Sequence, residues 1–87
     1  MFAQKLARVE GIEFSYDYLH DVLYIYFGEP RPSFSEEIAP GFFISLSEDD
    51  ETLTGIIIID YKKRDKDFLA AKAPISIDFD RINAMLH

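Results

Sequence analysis

The residues best equipped for chemistry lie between two strand-like runs: Asp17, His20 and Asp21 in the segment Asp17-Tyr18-Leu19-His20-Asp21. A histidine between two carboxylates can hold a divalent cation or exchange protons with a substrate, provided that the groups converge. The competing reading is structural, because aspartate side chains accept hydrogen bonds from nearby backbone N–H groups where a chain reverses. Glu37 or Ala39 and Asp60 fall toward the same end of the expected sheet. In an open meander, however, the first and fifth strands lie four spacings of about 4.8 Å apart, roughly 19 Å, so Asp17 and Asp60 share no site unless the sheet curls closed or another subunit contributes.

The other polar runs carry less. Glu48-Asp49-Asp50-Glu51 lacks the glycine and spaced ligands of a calcium loop and reads as a solvated turn. Ser33, Ser35, Ser45 and Ser47 alternate as strand residues do, with no glycine-rich elbow to expose a nucleophile. Lys62-Lys63-Arg64-Asp65-Lys66 is a compact basic patch on an acidic chain, most simply a solvated helix start, with docking as the functional alternative. The chain has no cysteine, which removes disulfides and thiolate chemistry. No catalytic, cofactor-binding or metal residue is assigned, and the expectation leans away from an enzyme. Asp17, His20 and Asp21 are the candidates for the rival metal-binding or hydrolytic function.

Positioning even these residues requires a sheet, and the sheet is organised around Thr54-Gly55-Ile56-Ile57-Ile58-Ile59-Asp60-Tyr61. Stiff β-branched side chains in so short a run predict a strand covered on both faces. Val22 to Phe27 matches it in two-sided apolarity, with Leu23, Ile25 and Phe27 on one side and Val22, Tyr24 and Tyr26 on the other. Ile12, Phe14 and Tyr16 alternate with polar residues as a half-exposed strand does. Two prolines make Gly28 to Pro32 a loop. A short strand at Phe34 to Ile38 and another at Phe42 to Ser47 flank Ala39-Pro40-Gly41-Phe42, where Gly41 supplies a positive φ. Met1 to Val9 reads either as one or two helical turns or as a loose lead-in. Asp65 to Ala73 predicts a short helix stopped by Pro74. The tail predicts a brief extended piece and a helix capped by Asp78 or Asp80.

The fold expected is therefore α+β, a single domain over residues 1–87. It comprises an antiparallel five-stranded β-meander with one or two short C-terminal helices packed on one face. Eight Phe and five Tyr among 87 residues supply the core, and a chain of this size buries only about 60–65% of its unfolded surface. Nine Lys and Arg against sixteen Asp and Glu give a net charge of −7, which repels phosphate backbones and anionic lipid. Nucleic acid and membrane are thus disfavoured as partners. No apolar run approaches the length of a membrane span, and a soluble, cytoplasmic protein is expected.

The succession Phe14-Ser15-Tyr16-Asp17, Asp21-Val22-Leu23-Tyr24-Ile25, Glu37, Pro40-Gly41, Ile44 and Leu53-Thr54-Gly55-Ile56-Ile57-Ile58-Ile59-Asp60 resembles a small bacterial family, domain of unknown function 2283. The resemblance covers about residues 10–63 and leaves 64–87 as a helical extension. It departs from the family pattern at Val22, where a small alanine is common. It implies a small sheet-centred domain with no established activity or catalytic residues. Members sometimes encoded beside small toxin-like proteins point to partner binding.

Two short helices cover one face of a sheet, whereas the isoleucine run asks for two. The expected function is therefore a non-catalytic interaction domain that homodimerises, with an acidic, antitoxin-like partnership with a basic protein as the extension of that role. The interface is expected to draw on Val22, Tyr24, Tyr26, Phe43, Ile56 and Ile58.

Overall fold

A computed structural model describes the backbone of residues 4–9 and the whole of residues 12–86. Six strands form one antiparallel sheet: β1 (Gln4–Val9), β2 (Ile12–Asp17), β3 (Val22–Tyr26), β4 (Ser33–Ala39), β5 (Phe42–Ser47) and β6 (Leu53–Ile59). A 3₁₀ turn at Tyr61–Lys63 leads to α1 (Lys66–Lys72) and α2 (Phe79–Met85). The α+β class, the antiparallel sheet with its five expected strands and the two C-terminal helices are all present.

The strand order corrects the meander. It runs β1-β2-β3-β6-β5-β4, so β3 pairs with β6 rather than with β4. A central strand must be apolar on both faces, and only β3 and β6 are; Leu23 sits opposite Ile58 and Ile25 opposite Ile56. β4, with Ser33, Ser35, Glu36 and Glu37, belongs at an edge where its polar side chains reach water. The loop from Phe27 to Pro32 crosses the ends of β6 and β5 to reach that edge. Three strand spacings of about 4.8 Å make roughly 14 Å, well within the reach of six extended residues. From there β4, β5 and β6 return by successive hairpins to lie beside β3, which is a Greek-key arrangement read from its far end.

Gln4–Val9 is neither helix nor lead-in but the opposite edge strand, paired along its length with β2. The spacing of Leu6 and Val9 suits a helix, yet six residues gain more from a ladder with a preformed strand than from a marginal isolated helix. The portion of that expectation on residues 1–3 lies outside the described residues.

The helices close one face. Phe14, Tyr16, Leu23, Ile25, Phe42, Ile56 and Ile58 project from the sheet into a core completed by Tyr61, Leu69, Ile77, Phe79, Ile82 and Leu86. Helices of seven residues do not hold their shape alone in water, so their apolar sides anchor them. The Asp78 carboxylate caps α2 by accepting from the Arg81 N–H at 3.0 Å, one of the two caps expected there.

Two departures from regular pairing fall at opposite ends of the sheet. Gly55 lies so close to β3 that a Cβ would come 2.8 Å from the Ile25 carbonyl oxygen. Beside it the β5–β6 register shifts between Ser45 and Leu46, leaving Thr54 as an extra residue. A bulge of this kind re-aims a side chain, and the Thr54 hydroxyl reaches over β5 to within 2.9 Å of Ser33 Oγ. The other bulge falls between Glu37 and Ala39 on β4.

Candidate functional site

The revised order brings the strand-end aspartates nearer than a meander would. With β2, β3 and β6 adjacent, Asp17 and Asp60 stand two spacings apart, about 10 Å by strand geometry. Even so, the carboxylates are engaged locally. Asp17 Oδ1 accepts from the N–H groups of Leu19 and His20 at 3.0 and 3.2 Å, and Oδ2 lies 2.8 Å from His20 Nδ1. The His20 contact is the main cause holding the Asp17 carboxyl below its ordinary value of 3.8. Asp60 is an αL residue at φ 57, leading into the 3₁₀ turn. Among the described residues no three His, Asp or Glu side chains converge as a metal site requires.

Asp21 has a different task. Its Oδ1 accepts from Tyr16 Oη at 2.5 Å and from the Lys62 N–H at 3.1 Å, while its carbonyl accepts from the Tyr61 N–H at 3.0 Å. One residue of the β2–β3 turn thereby ties a core tyrosine to the 3₁₀ turn after β6. Burial, followed by this hydrogen bond, pushes the Tyr16 hydroxyl above the ordinary phenol value. The Lys62 ammonium lies 5.5 Å and 5.8 Å from the ring centroids of Tyr16 and Tyr18, which pack edge to face. The sequence places Asp21 in this turn but carries no sign of these partners. No local pattern announces a contact across 41 residues.

The remaining polar runs are also occupied. Asp50 Oδ1 accepts from the Thr52 N–H at 3.0 Å inside its turn. Ser35 and Ser45 pair across β4 and β5 at 3.2 Å, and Ser47 is buried. In the basic patch, Arg64 Nε donates to the Ile59 carbonyl at 3.0 Å and Lys66 Nζ to Asp80 at 2.5 Å. These cations line a recess of about 230 Å³ with Tyr61 and Asn83.

The side of the sheet away from the helices has no covering element among the described residues. Val22 and Tyr24 share it with their register partners Ile59 and Ile57, Tyr26 stands on it opposite Gly55, and Phe43 joins it opposite Ile57. Tyr26 is 41% and Ile59 38% exposed, and no described element packs over them. Ile56 and Ile58 correct the expected interface: both are fully buried beneath the helices. The period-2 pattern separates them from Ile57 and Ile59, but only the register with β3 shows which pair joins the tyrosines. Gly55 and Thr54 open a groove of about 210 Å³ at one end of this face, walled by Tyr24, Tyr26, Ser33 and Ser45.

The sequence model of the family described as "Protein of unknown function (DUF2283)" matches residues 13–62. The chain belongs to this family. The DUF2283 segment runs from β2 to the 3₁₀ turn and contains the Asp21 clamp and Val22, Tyr24, Tyr26, Phe43, Ile57 and Ile59 of the uncovered face. The strand β1 and both helices lie outside it, so in this chain the DUF2283 sheet owes its one covered side to residues beyond the family match. No curated protein and no solved structure shows significant similarity to the chain. Among the described residues no helix is long and apolar enough to cross a membrane.

Proposed function

We propose that the chain is a non-catalytic interaction domain whose uncovered sheet face packs against the same face of a second copy. The observation that carries this reading is the contiguous apolar surface of Val22, Tyr24, Phe43, Ile57 and Ile59, opposite a face that two helices already close. Six strands spaced about 4.8 Å apart and about 20 Å long present roughly 480 Å² in projection. Two such faces approach about 1,000 Å², the lower bound for a specific interface. The centre of the face carries no charge, and its carboxylates, Glu13, Asp17 and Glu37, lie on the flanking strands, which suits a polar rim around an apolar middle. A two-fold axis through the face makes the contact self-complementary, with sheets about 10 Å apart.

Light scattering on the purified protein should give twice the chain mass of 10.1 kDa. Ile57→Lys should halve that mass without changing the circular dichroism spectrum. A wild-type monomer, or an undisturbed dimer in the variant, would overturn the reading.

A second reading is an acidic, antitoxin-like partner of a basic protein. It draws on the net charge of −7 and on Glu36, exposed on the edge strand and with no ion pair among the described residues.

A further inference from the structure

We propose that β4 is a pairing edge for an extended basic segment of another protein, which would add as a seventh strand. This deepens the acidic-partner reading and rests on it, but is independent of the dimer face. Among the described residues β4 is bonded only to β5, and its residues from Phe34 to Ile38 are exposed. The Pro32 carbonyl accepts from the Glu48 N–H, which fixes the phase of the β4–β5 ladder. Antiparallel pairs alternate between bonded and non-bonded, so Phe34 and Glu36 turn their backbone groups toward β5. The N–H and C=O groups of Ser33, Ser35 and Glu37 therefore point out of the sheet edge. The β5–β6 side agrees in phase, since Ile59 donates to the Gly41 carbonyl and places Phe43 and Ser45 in the bonded pairs of that ladder.

Natural edges are commonly blunted by lysine, proline or a bulge. Here the bulge comes only after Glu37, leaving Ser33 to Glu37 regular and open to strand addition. The side chains state what should add. Phe34 is 37% exposed on one side of the strand, and next to it on the same side stands Glu36. The other side carries Glu37, whose Oε2 accepts from the Gly41 N–H at 2.9 Å. An incoming strand with an apolar residue beside Phe34 and Lys or Arg near both glutamates would cover the ring and pair the charges. A second copy fits less well: paired about Ser35, its Glu36 would be a diagonal neighbour of the first, a like charge about 7–8 Å away.

The test uses the full chain and two synthetic extended peptides, Thr-Lys-Lys-Thr-Val-Thr and its counterpart with glutamate for both lysines, which in antiparallel pairing set valine opposite Phe34 and the two charges opposite Glu36 and Glu37 on their respective faces. In heteronuclear NMR titration the lysine peptide should shift the amides of Ser33, Ser35 and Glu37, and the glutamate peptide should not. Ser35→Pro removes an outward N–H and no bond to β5, so it should abolish binding while the fold persists; Ser35→Ala should bind as wild type. Glu36→Lys together with Glu37→Lys should weaken the lysine peptide about tenfold, from two cross-strand charge pairs. Shifts confined to another surface, or lysine-peptide binding unchanged by Ser35→Pro, would overturn the edge. Equal binding of both peptides at β4 would overturn the basic partner while leaving the edge. The light-scattering mass reports the dimer separately.

Discussion

Asp21 shows how a residue that looks catalytic becomes structural through what its oxygens touch. It sits at φ 56, a conformation that aspartate tolerates better than most residues, and from there reaches Tyr16 and the Lys62 N–H. Asp21→Ala should cost about 1–3 kcal/mol, because a buried hydroxyl loses its acceptor; urea denaturation would measure it. The neighbouring turn gives a pH signature. His20→Ala should bring the Asp17 carboxyl back toward 3.8 in an NMR titration, since the His20 contact is the leading cause of its depression. An unmoved Asp17 would discard that assignment. A second signature lies at alkaline pH, where Tyr16 and Tyr61 are both held above the ordinary 10.0 chiefly by burial. Below that value both the folded and unfolded chains keep these protons, so stability is independent of them. Above it the unfolded chain loses its protons first, and stability falls as pH rises. The melting temperature should therefore drop beyond pH 10.0, less steeply in Tyr61→Phe. The turn residues were legible in the sequence as turn residues; their distant partners were not, because a hydrogen bond across the fold leaves no local periodicity.

At the level of elements, apolar period and turn chemistry located β2 to β6 and both helices to within a residue or two. Gly41 has the positive φ that its turn requires, and α1 begins beside Asp65 as the sequence suggests. β1 escaped because Gln-Lys-Leu-Ala-Arg-Val has no alternation of its own and becomes a strand through β2. The strand order escaped for a related reason: hairpin loops are written locally, whereas the β3–β6 contact is decided by which strands tolerate two covered faces. Gly55 is the element-scale test. Gly55→Ala places a methyl against the Ile25 carbonyl and should cost about 1–3 kcal/mol through overpacking, read as a lowered denaturation midpoint. Unchanged stability would mean that β3 and β6 separate more easily than their spacing implies.

For the whole molecule, the two proposed contacts differ in kind. The sheet face has an uncharged centre and should dimerise with little dependence on salt. The β4 edge relies on partly exposed carboxylates, which salt screens over a Debye length of about 8–10 Å near physiological ionic strength. Raising ionic strength in the two assays should therefore leave the dimer mass unchanged while weakening the lysine peptide, and the reverse pattern would contradict the assignment of the two surfaces.

The Greek-key crossing also bears on the time course of folding. β3 and β6 are neighbours in space, yet β4 and β5 intervene in the chain, and Val22 pairs with Ile59. Loop-closure entropy delays such a pairing until nearer contacts exist. The hairpins β4–β5 and β5–β6 should therefore form early, with the isoleucines of β6 waiting, unsatisfied, for β3. Stopped-flow measurements should find that Gly41→Ala slows refolding, whereas Leu23→Ala chiefly accelerates unfolding. In the interval before β3 docks, the half-built sheet offers water its most adhesive strand.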